Sequence, residues 1–350
     1  MARIVVAGAG AIGASIAYHL ALRGAASDVV LADVGLAASG ATAKAMGGVR
    51  QQFSTAAEVR LAQASIGFFQ ELGPPYFEQV GYLFLATTED GLGALEQRRL
   101  LQNELGVPVE RVDASRVPGL NVGDVLGAVA CWSDGCADPP AVARELVRRS
   151  VEAGVELRER TDALELDGDV LVVACGPRSG EVAEARGVRL PIRPLCRQLL
   201  RTTAVDAPSE LPMVVEAETG FHFRRRGDAL VLAMSDPAPR WGFDEIVDAS
   251  VFDDRLARLA HRYPPAESAS IADAWAGLYD MTPDAHPVIG PVGAGLYAVC
   301  GFSGHGFMQS PAVGDAVAAE LLGDSPPFDL APYRLERFEG DATFPETVVL

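Results

Sequence analysis

The 350-residue sequence has few groups that could ligate a metal. Its five cysteines are an odd number without CxxC spacing, and its five histidines form no HxH or HxxxH pair. The composition therefore predicts no metal site, because cysteine and histidine ligands occur at short, regular spacings. It also predicts reduced thiols in a cytoplasmic protein rather than a disulfide framework.

Basic charge and long apolar runs are scarce as well. The net charge is -18, and Lys44 is the single lysine beside 28 arginines. A binder of nucleic acid or anionic membrane needs a basic face, so neither partner is predicted. No run of eighteen apolar residues occurs, and no basic leader with a cleavage site opens the chain. We expect a soluble protein with a small-molecule partner.

Residues 3–33 match a dinucleotide-binding βαβ unit, in which an apolar strand, a glycine-rich turn, an amphipathic helix and a second strand follow one another. Gly8 permits the tight turn, Gly10 lets the backbone approach a pyrophosphate, and Gly13 lets the helix pack on the strand. Asp33 follows twenty residues later, where a carboxylate accepts hydrogen bonds from a ribose. The fingerprint leaves NAD and FAD open.

The remaining pattern predicts an α/β fold: a Rossmann-type nucleotide-binding domain with an inserted antiparallel-β (α+β) substrate domain. A strongly apolar strand at 169–176 is typical of a buried parallel strand, and alternating segments at 196–275 indicate an antiparallel sheet. A strand at 296–300, a glycine loop at 301–306 and a helix from about Ser310 to Leu322 return to the first pattern. The predicted limits are 1–72, 135–195 and 277–324 for the nucleotide domain, 73–134 and 196–276 for the substrate domain, and 325–350 for a C-terminal tail.

Three further motifs resemble one family. Residues 47–53 (GGVRQQF), 277–284 (GLYDMTPD) and 301–308 (GFSGHGFM) resemble the FAD-dependent amine oxidoreductases of the D-amino-acid oxidase and sarcosine oxidase family. Within it they are most similar to the sarcosine oxidase beta subunit and the dye-linked L-proline dehydrogenase. The third motif resembles the segment that cradles a flavin ring, which implies FAD as the cofactor.

The fingerprint and the resemblance together predict a set of FAD-binding residues. They are Gly8, Gly10, Ala11, Ile12, Gly13, Asp33, Ser39, Ala41, Thr42, Lys44, Gly47, Gly48, Ala174, Gly176, Gly277, Gly304, His305, Gly306, Phe307 and Met308. Lys44 is open to a second interpretation, a solvated surface lysine. The helix after the last glycine would direct its positive end toward a ring that gains negative charge on reduction.

Five residues are candidates for the catalytic site. The resemblance implies that Arg50 lies over the flavin, that Tyr279 lines the substrate cavity and that His305 orients the ring; a structural ion pair for Arg50 and a core position for Tyr279 are the alternatives. His222 and Arg224 share one face of a strand by period two. Facing inward they would bind a carboxylate, and facing solvent they would have no special role.

The sequence departs from the family at several positions. Gly277 replaces a cysteine that tethers the flavin in some sarcosine oxidases, which implies non-covalent FAD. Phe53 and Met308 replace the pair that holds the substrate carboxylate, so sarcosine is not favoured. Val231 replaces the lysine that activates O2, which favours a dehydrogenase or a slow oxidase unless Lys44 takes that role.

The predicted function is oxidation of the C–N bond of a small amine, an α-amino acid or a secondary amine, by hydride transfer to flavin N5. The neutral amine is the reactive form, so the rate should rise with pH. Two alternatives remain: a tailoring oxidase of specialised metabolism that takes a bulkier or carrier-bound amine, and a non-catalytic FAD-binding assembly protein. A third, an NAD-dependent dehydrogenase, rests on the βαβ unit alone. Relatives act as single chains or within hetero-oligomers, and the sequence favours neither.

Overall fold

The structure, a computed structural model, describes residues 2–340 and 345–350. These residues form two compact units, each built from separated stretches of chain. The first unit runs to Gly47 and includes Asp138–Leu195 and Leu278–Thr347. The second comprises Gly48–Ala137, Cys196–Gly277 and Val348–Leu350.

The first unit is built on a mainly parallel sheet with the strand order β17-β18-β10-β1-β2-β9. Only the β17–β18 pair in this order is antiparallel among the described residues. The elements are β1 (Ile4–Ala7), α1 (Ala11–Leu22), β2 (Val29–Asp33), α4 (Pro139–Glu152), β9 (Glu156–Glu159), β10 (Val170–Val173), α5 (Ser179–Glu184), β17 (Val288–Gly293), β18 (Leu296–Cys300) and α7 (Gly306–Leu321). The central strands are apolar along their length because both faces are covered.

The second unit contains a larger, mostly antiparallel sheet with the order β15-β11-β14-β13-β12-β5-β7-β6, in which β16 also pairs with β11. Its elements are β3 (Gly48–Val49), α2 (Ala56–Leu72), β4 (Phe77–Glu78), β5 (Tyr82–Ala86), α3 (Glu89–Glu104), β6 (Glu110–Arg111), β7 (Gly127–Cys131), β8 (Gly135–Ala137), β11 (Arg193–Ala204), β12 (Met213–Glu216), β13 (His222–Arg226), β14 (Ala229–Ala233), β15 (Arg240–Trp241), α6 (Phe252–Arg262) and β16 (Ile271–Met281). A small sheet pairs β3 and β4 with β8.

One face of the large sheet is the apolar core of the second unit. Phe223 packs there with Leu232 and with Tyr263, which lies just beyond α6. Because side chains alternate along a strand, His222 and Arg224 point to the opposite face. The cross-strand register places Arg224 beside Val231 on that face.

The predicted fold class is confirmed, whereas the unit that contains α2 and the start of α7 differ from the sequence prediction. Helix α2 belongs to the second unit because it contacts α3 and β4, and the rings of Phe69 and Phe77 lie 5.9 Å apart. Helix α7 begins at Gly306, four residues before the predicted start at Ser310. The helix tolerates Pro311 because the Ser310 hydroxyl donates to the Phe307 carbonyl oxygen that a proline cannot bond.

The predicted C-terminal tail makes ion pairs and hydrogen bonds with the first unit. Arg334 pairs with Glu320 on α7, and its Nη1 lies where a side chain at Gly290 would stand. Arg337 forms a two-bond ion pair with Asp284, at 2.8 and 3.1 Å. These contacts place residues up to 340 in the first unit. Among the described residues, no helix is both long and apolar enough to cross a bilayer.

Candidate functional site

The turn between β1 and α1 admits only glycine at two positions. Gly8 has a φ of +99°, and a Cβ there would lie 2.4 Å from the carbonyl oxygen of Ala174. A Cβ at Gly13 would lie 1.8 Å from the carbonyl oxygen of Gly8. The strand, the turn and the helix therefore approach as closely as the fingerprint requires.

The N-terminus of α1 offers amide groups to an anion. The first helical hydrogen bond runs from Ala14 N to Gly10 O at 2.9 Å, so the amides of residues 11–13 precede it. Ala11 N donates to the Thr42 hydroxyl at 3.0 Å, and no acidic side chain lies in the first turn. Amides at a helix start and a nearby hydroxyl form a phosphate-binding arrangement.

Asp33 is fixed at the end of β2 by two main-chain amides. Its carboxylate accepts from Ala9 N at 2.8 Å and from Gly35 N at 2.7 Å, one to each oxygen. A carboxylate oxygen accepts more than one hydrogen bond, so this held group can still receive ribose hydroxyls. Ser39 lies nearby in the chain and donates to the Leu36 carbonyl oxygen at the exposed surface.

The second glycine segment lies at the same edge of the sheet as the first. Strand β10 separates β1 and β18, all three strands are parallel, and loops after parallel strands emerge on one side. Helices α1 and α7 pack closely, since a Cβ at Gly314 would lie 2.2 Å from Ser15 Oγ. Residues 8–13 and 301–308 thus converge within one unit, as a cofactor that spans both would require.

The loop before α7 is left-handed at three residues. Gly301, Ser303 and Gly304 have φ values of +80°, +53° and +95°. A Cβ at Gly304 would lie 2.4 Å from the Tyr279 ring, so the loop presses against that side chain. The first α7 hydrogen bond runs from Gln309 N to His305 O at 3.3 Å, which leaves the amides of residues 306–308 ahead of it.

These features fit a flavin dinucleotide. The amides at the starts of α1 and α7 suit its negatively charged groups, the fixed Asp33 carboxylate suits a ribose, and the turns that admit only glycine let the backbone come close. Gly8, Gly10, Ala11, Ile12, Gly13, Asp33, Ser39, Ala41, Thr42, Lys44, Gly47, Ala174, Gly176, Tyr279, Gly304, His305, Gly306, Phe307 and Met308 all belong to the first unit. Gly48, Arg50, His222, Arg224 and Gly277 belong to the second. No side chain at Gly277 could form a covalent link to the cofactor.

In the second unit, Arg50 is almost fully buried and fixed by its neighbours. Its guanidinium donates to the carbonyl oxygens of Gln52 and Val348 and lies 4.0 Å above the Phe53 ring. This arrangement ties the segment after β3 to the last residues of the chain. The main-chain oxygens and the ring hold the guanidinium in one position.

Asp134 holds the residues that follow Arg50, and sequence reasoning missed it. Its carboxylate accepts from Gln51 Nε2 at 2.9 Å, from Gln51 N at 3.1 Å and from Gln52 Nε2 at 3.2 Å. Burial raises the pKa of Asp134 to about 6 against these donors. In the sequence Asp134 stands in a turn-like Ser-Asp-Gly stretch, so no local signal marked it.

His222 and Arg224 offer complementary groups on one buried face. Arg224 donates to the Ala137 carbonyl oxygen at 3.2 Å, and among the described residues no carboxylate pairs with it. Burial, together with the charges of Arg50 and Arg197, lowers the pKa of His222 to about 4. The neutral ring lies 2.8 Å from the Gly220 carbonyl oxygen through Nδ1, so Nδ1 carries the proton and Nε2 is an acceptor.

Comparison with known proteins gives a consistent relationship. The family described as FAD dependent oxidoreductase (DAO) matches residues 3–320. The chain is 29% identical to "FAD-dependent oxidoreductase domain-containing protein 1" of Bos taurus, over 96% of this chain and 84% of that protein. It is 28% identical to glycine oxidase of Geobacillus kaustophilus, with 96% and 97% covered. The crystal structure of L-proline dehydrogenase from P. horikoshii matches with a TM-score of 0.89 and 26% identity, over 97% and 98% of the chains.

Proposed function

Because this chain belongs to the DAO family of FAD-dependent oxidoreductases, we propose that it oxidises the C–N bond of a small amine that carries a carboxylate. The substrate class is an α-amino acid or an N-alkylated amino acid, and the product is the imine. FAD is the cofactor, which excludes the NAD-dependent alternative. Bound FAD supplies the hydride acceptor.

The buried Arg224 carries this proposal. A buried cation without an acidic partner is costly, so it is expected where a ligand brings the negative charge. Among the described residues Arg224 has no such partner, although the chain carries a net charge of -18. A substrate carboxylate would supply the missing charge through a two-bond contact.

His222 would receive the amine end of the same substrate. The side chains of residues 222 and 224 stand on one strand face at a spacing of about 7 Å. An amino acid presents an acceptor carboxylate and a donor nitrogen a few bonds apart, which matches a guanidinium and an acceptor imidazole. Since the pKa of His222 is about 4, the ring is neutral at neutral pH. It therefore adds no second positive charge beside Arg224, and its Nε2 can accept a hydrogen bond from the amine.

We further propose that O2 is a slow electron acceptor. In the sarcosine oxidases that the sequence resembles, a lysine near the ring serves O2, and Val231 takes that position here, opposite Arg224 in the β13–β14 register. The single lysine, Lys44, lies in the short helical turn Ala41–Lys44 of the first unit. A dehydrogenase or a slow oxidase follows, and its cytoplasmic location stays a prediction.

The test is anaerobic reduction of the purified FAD-loaded protein by matched amines. L-Proline is compared with pyrrolidine, alanine of each hand with ethylamine, and glycine with methylamine, and bleaching of the flavin absorbance is followed. Since one buried charge pair is worth about 3 kcal/mol, the carboxylated member should act at roughly 100-fold lower concentration.

Three results would contradict this proposal or favour one of its alternatives. Equal action of both members of every pair would contradict the carboxylate contact. Reduction by bulky amines alone would favour the tailoring oxidase, and no reduction by any amine would favour the assembly protein.

A further inference from the structure

The glycine loop before α7 is organised by one buried acid, Asp280, which lies in the last part of β16, from Leu278 to Met281, that belongs to the first unit. Its carboxylate accepts from Gly301 N at 2.7 Å and also receives the amide of Phe302. Its own carbonyl oxygen accepts from Ser303 N at 3.1 Å. Three successive amides of the loop therefore converge on one residue.

The loop needs this support because Ser303 is strained. It is a fully buried non-glycine residue with a φ of +53°, a conformation that costs about 1–2 kcal/mol for such a residue. Thr282 N adds a hydrogen bond to Ser303 Oγ at 3.2 Å. The strand end that carries Asp280 thus imposes the left-handed turn on which the start of α7 depends.

Asp280 also contributes a charge. Among the described residues no basic side chain pairs with it, and the amides of the loop are its partners. Burial raises the pKa of Asp280 to about 6, so the carboxylate is ionised at neutral pH. A full negative charge therefore lies close to the positive end of α7, within the first unit.

We infer that Asp280 is a positioning residue for the bound flavin: its carboxylate fixes the Gly301–Gly304 loop, and its charge lowers the midpoint potential of the cofactor. Reduction adds negative charge to the flavin, and a fixed negative charge near the amides that face it opposes that change. The inference concerns the cofactor and not the substrate.

The test measures the two-electron midpoint potential of the FAD-loaded protein with a dye and a chemical reductant, and the FAD dissociation constant by titration of the apoprotein. Asp280→Asn keeps the size of the side chain and removes the charge. We expect the reduction equilibrium to shift at least tenfold toward the reduced form, which is about 30 mV for a two-electron couple. No amine is used, so a wrong substrate class would leave this result unaffected.

Asp284→Asn is the matched control. Asp284 is a buried acid four residues further on, and its charge is already balanced by Arg337. This variant should lower thermal stability and shift the midpoint potential less than Asp280→Asn does, because the Asp284 carboxylate bonds Arg337 and the His286 amide and no amide of the Gly301–Gly304 loop. An equal shift in both variants, or no shift in Asp280→Asn, would overturn the inference.

Asp280→Glu covers the case in which Asp280→Asn does not fold. The longer side chain keeps the charge and displaces the carboxylate from the Gly301 amide. We expect FAD affinity to fall at least tenfold while the midpoint potential stays near that of the wild type. FAD binding as tight as in the wild type would overturn the positioning role.

Discussion

In each of the two units a buried aspartate holds a candidate functional segment, but the two acids accept hydrogen bonds from different kinds of amide. In the first unit, Asp280 accepts main-chain amides of the glycine loop. In the second, Asp134 accepts mainly side-chain amides, those of Gln51 and Gln52. Burial raises the pKa of both acids to about 6. The acid of the first unit therefore fixes main-chain groups, and the acid of the second unit fixes mainly side-chain groups.

The difference explains why the functional residues of the first unit are more visible in the sequence than those of the second. Backbone recognition needs glycine wherever the chain passes close to another atom or turns left-handed, so it leaves glycines at fixed spacings. Side-chain recognition on a sheet face depends on which strands are neighbours. The pair His222 and Arg224 is visible in the sequence, whereas its neighbours across the strands are not.

The largest expected effect tests backbone recognition directly. Gly8→Ala places a Cβ 2.4 Å from the Ala174 carbonyl oxygen at a φ of +99°. Clash and strain should lower FAD affinity by about 1000-fold, measured by fluorescence titration of the apoprotein. Gly67→Ala, at an exposed position of α2, is the control, because its Cβ would meet nothing within 4 Å. Equal FAD binding by both variants would refute a backbone-made cofactor site.

The next effect tests side-chain recognition in the second unit. Arg224→Met removes the buried cation and keeps much of its apolar volume. The KM for carboxylated substrates should rise about 100-fold, with FAD affinity unchanged, because only the substrate contact is lost. Arg225→Met is the control, since Arg225 is the half-buried neighbour on the other face of β13. A loss of FAD binding in Arg224→Met would show that Arg224 contributes to the cofactor site, and it would contradict a role in substrate binding alone.

A third prediction concerns pH. An aspartate of the unfolded chain titrates near 3.8, whereas Asp134 titrates at about 6 when folded. Between about pH 4 and pH 6 the folded protein binds more protons, so its free energy of unfolding decreases as pH rises through this window. Two pKa units correspond to a decrease of about 3 kcal/mol for one group.

Asp134→Asn should remove that part of the pH dependence in urea unfolding, and it should also lower kcat because an amide nitrogen replaces one of the two oxygens that accept from Gln51 and Gln52. Ser133→Ala, which removes the bonds of the Ser133 hydroxyl to Gln51 Nε2 and Cys131 Sγ and keeps the carboxylate of Asp134, is the milder control. A pH profile of unfolding that is identical in wild type and Asp134→Asn would show that burial does not shift this carboxyl group.

The smallest effect sharpens the account of the first helix. Thr42→Ala removes the hydroxyl that accepts from Ala11 N. Loss of such a cap costs about 1 kcal/mol, so FAD affinity should fall about fivefold. Ser39→Ala removes an exposed hydroxyl that donates to the Leu36 carbonyl oxygen, and this variant should bind FAD nearly as the wild type does. The reverse order of the two affinities would assign the phosphate contact to Ser39.

Much of the fold was predictable because its signals are local. Thr55 and Asp138 are the N-caps at which α2 and α4 begin, and Gly73 ends α2. Three glycines in six residues predict a loop as far as Gly306, so the predicted start of α7 is wrong. The packing of α7 on α1 makes Gly306 helical. Local propensity yields there to tertiary contact.

The sequence by itself determined the dinucleotide fingerprint, the family and the cofactor, because glycine spacing and an apolar strand are properties of short stretches of chain. Only the tertiary structure decided that Asp134 and Asp280 are buried and support distant segments, 83 residues away for Gln51 and 21 residues away for Gly301. The physical reason is that the burial of a charge, and therefore its pKa and its partners, depends on atoms brought together by folding and not on neighbours along the chain.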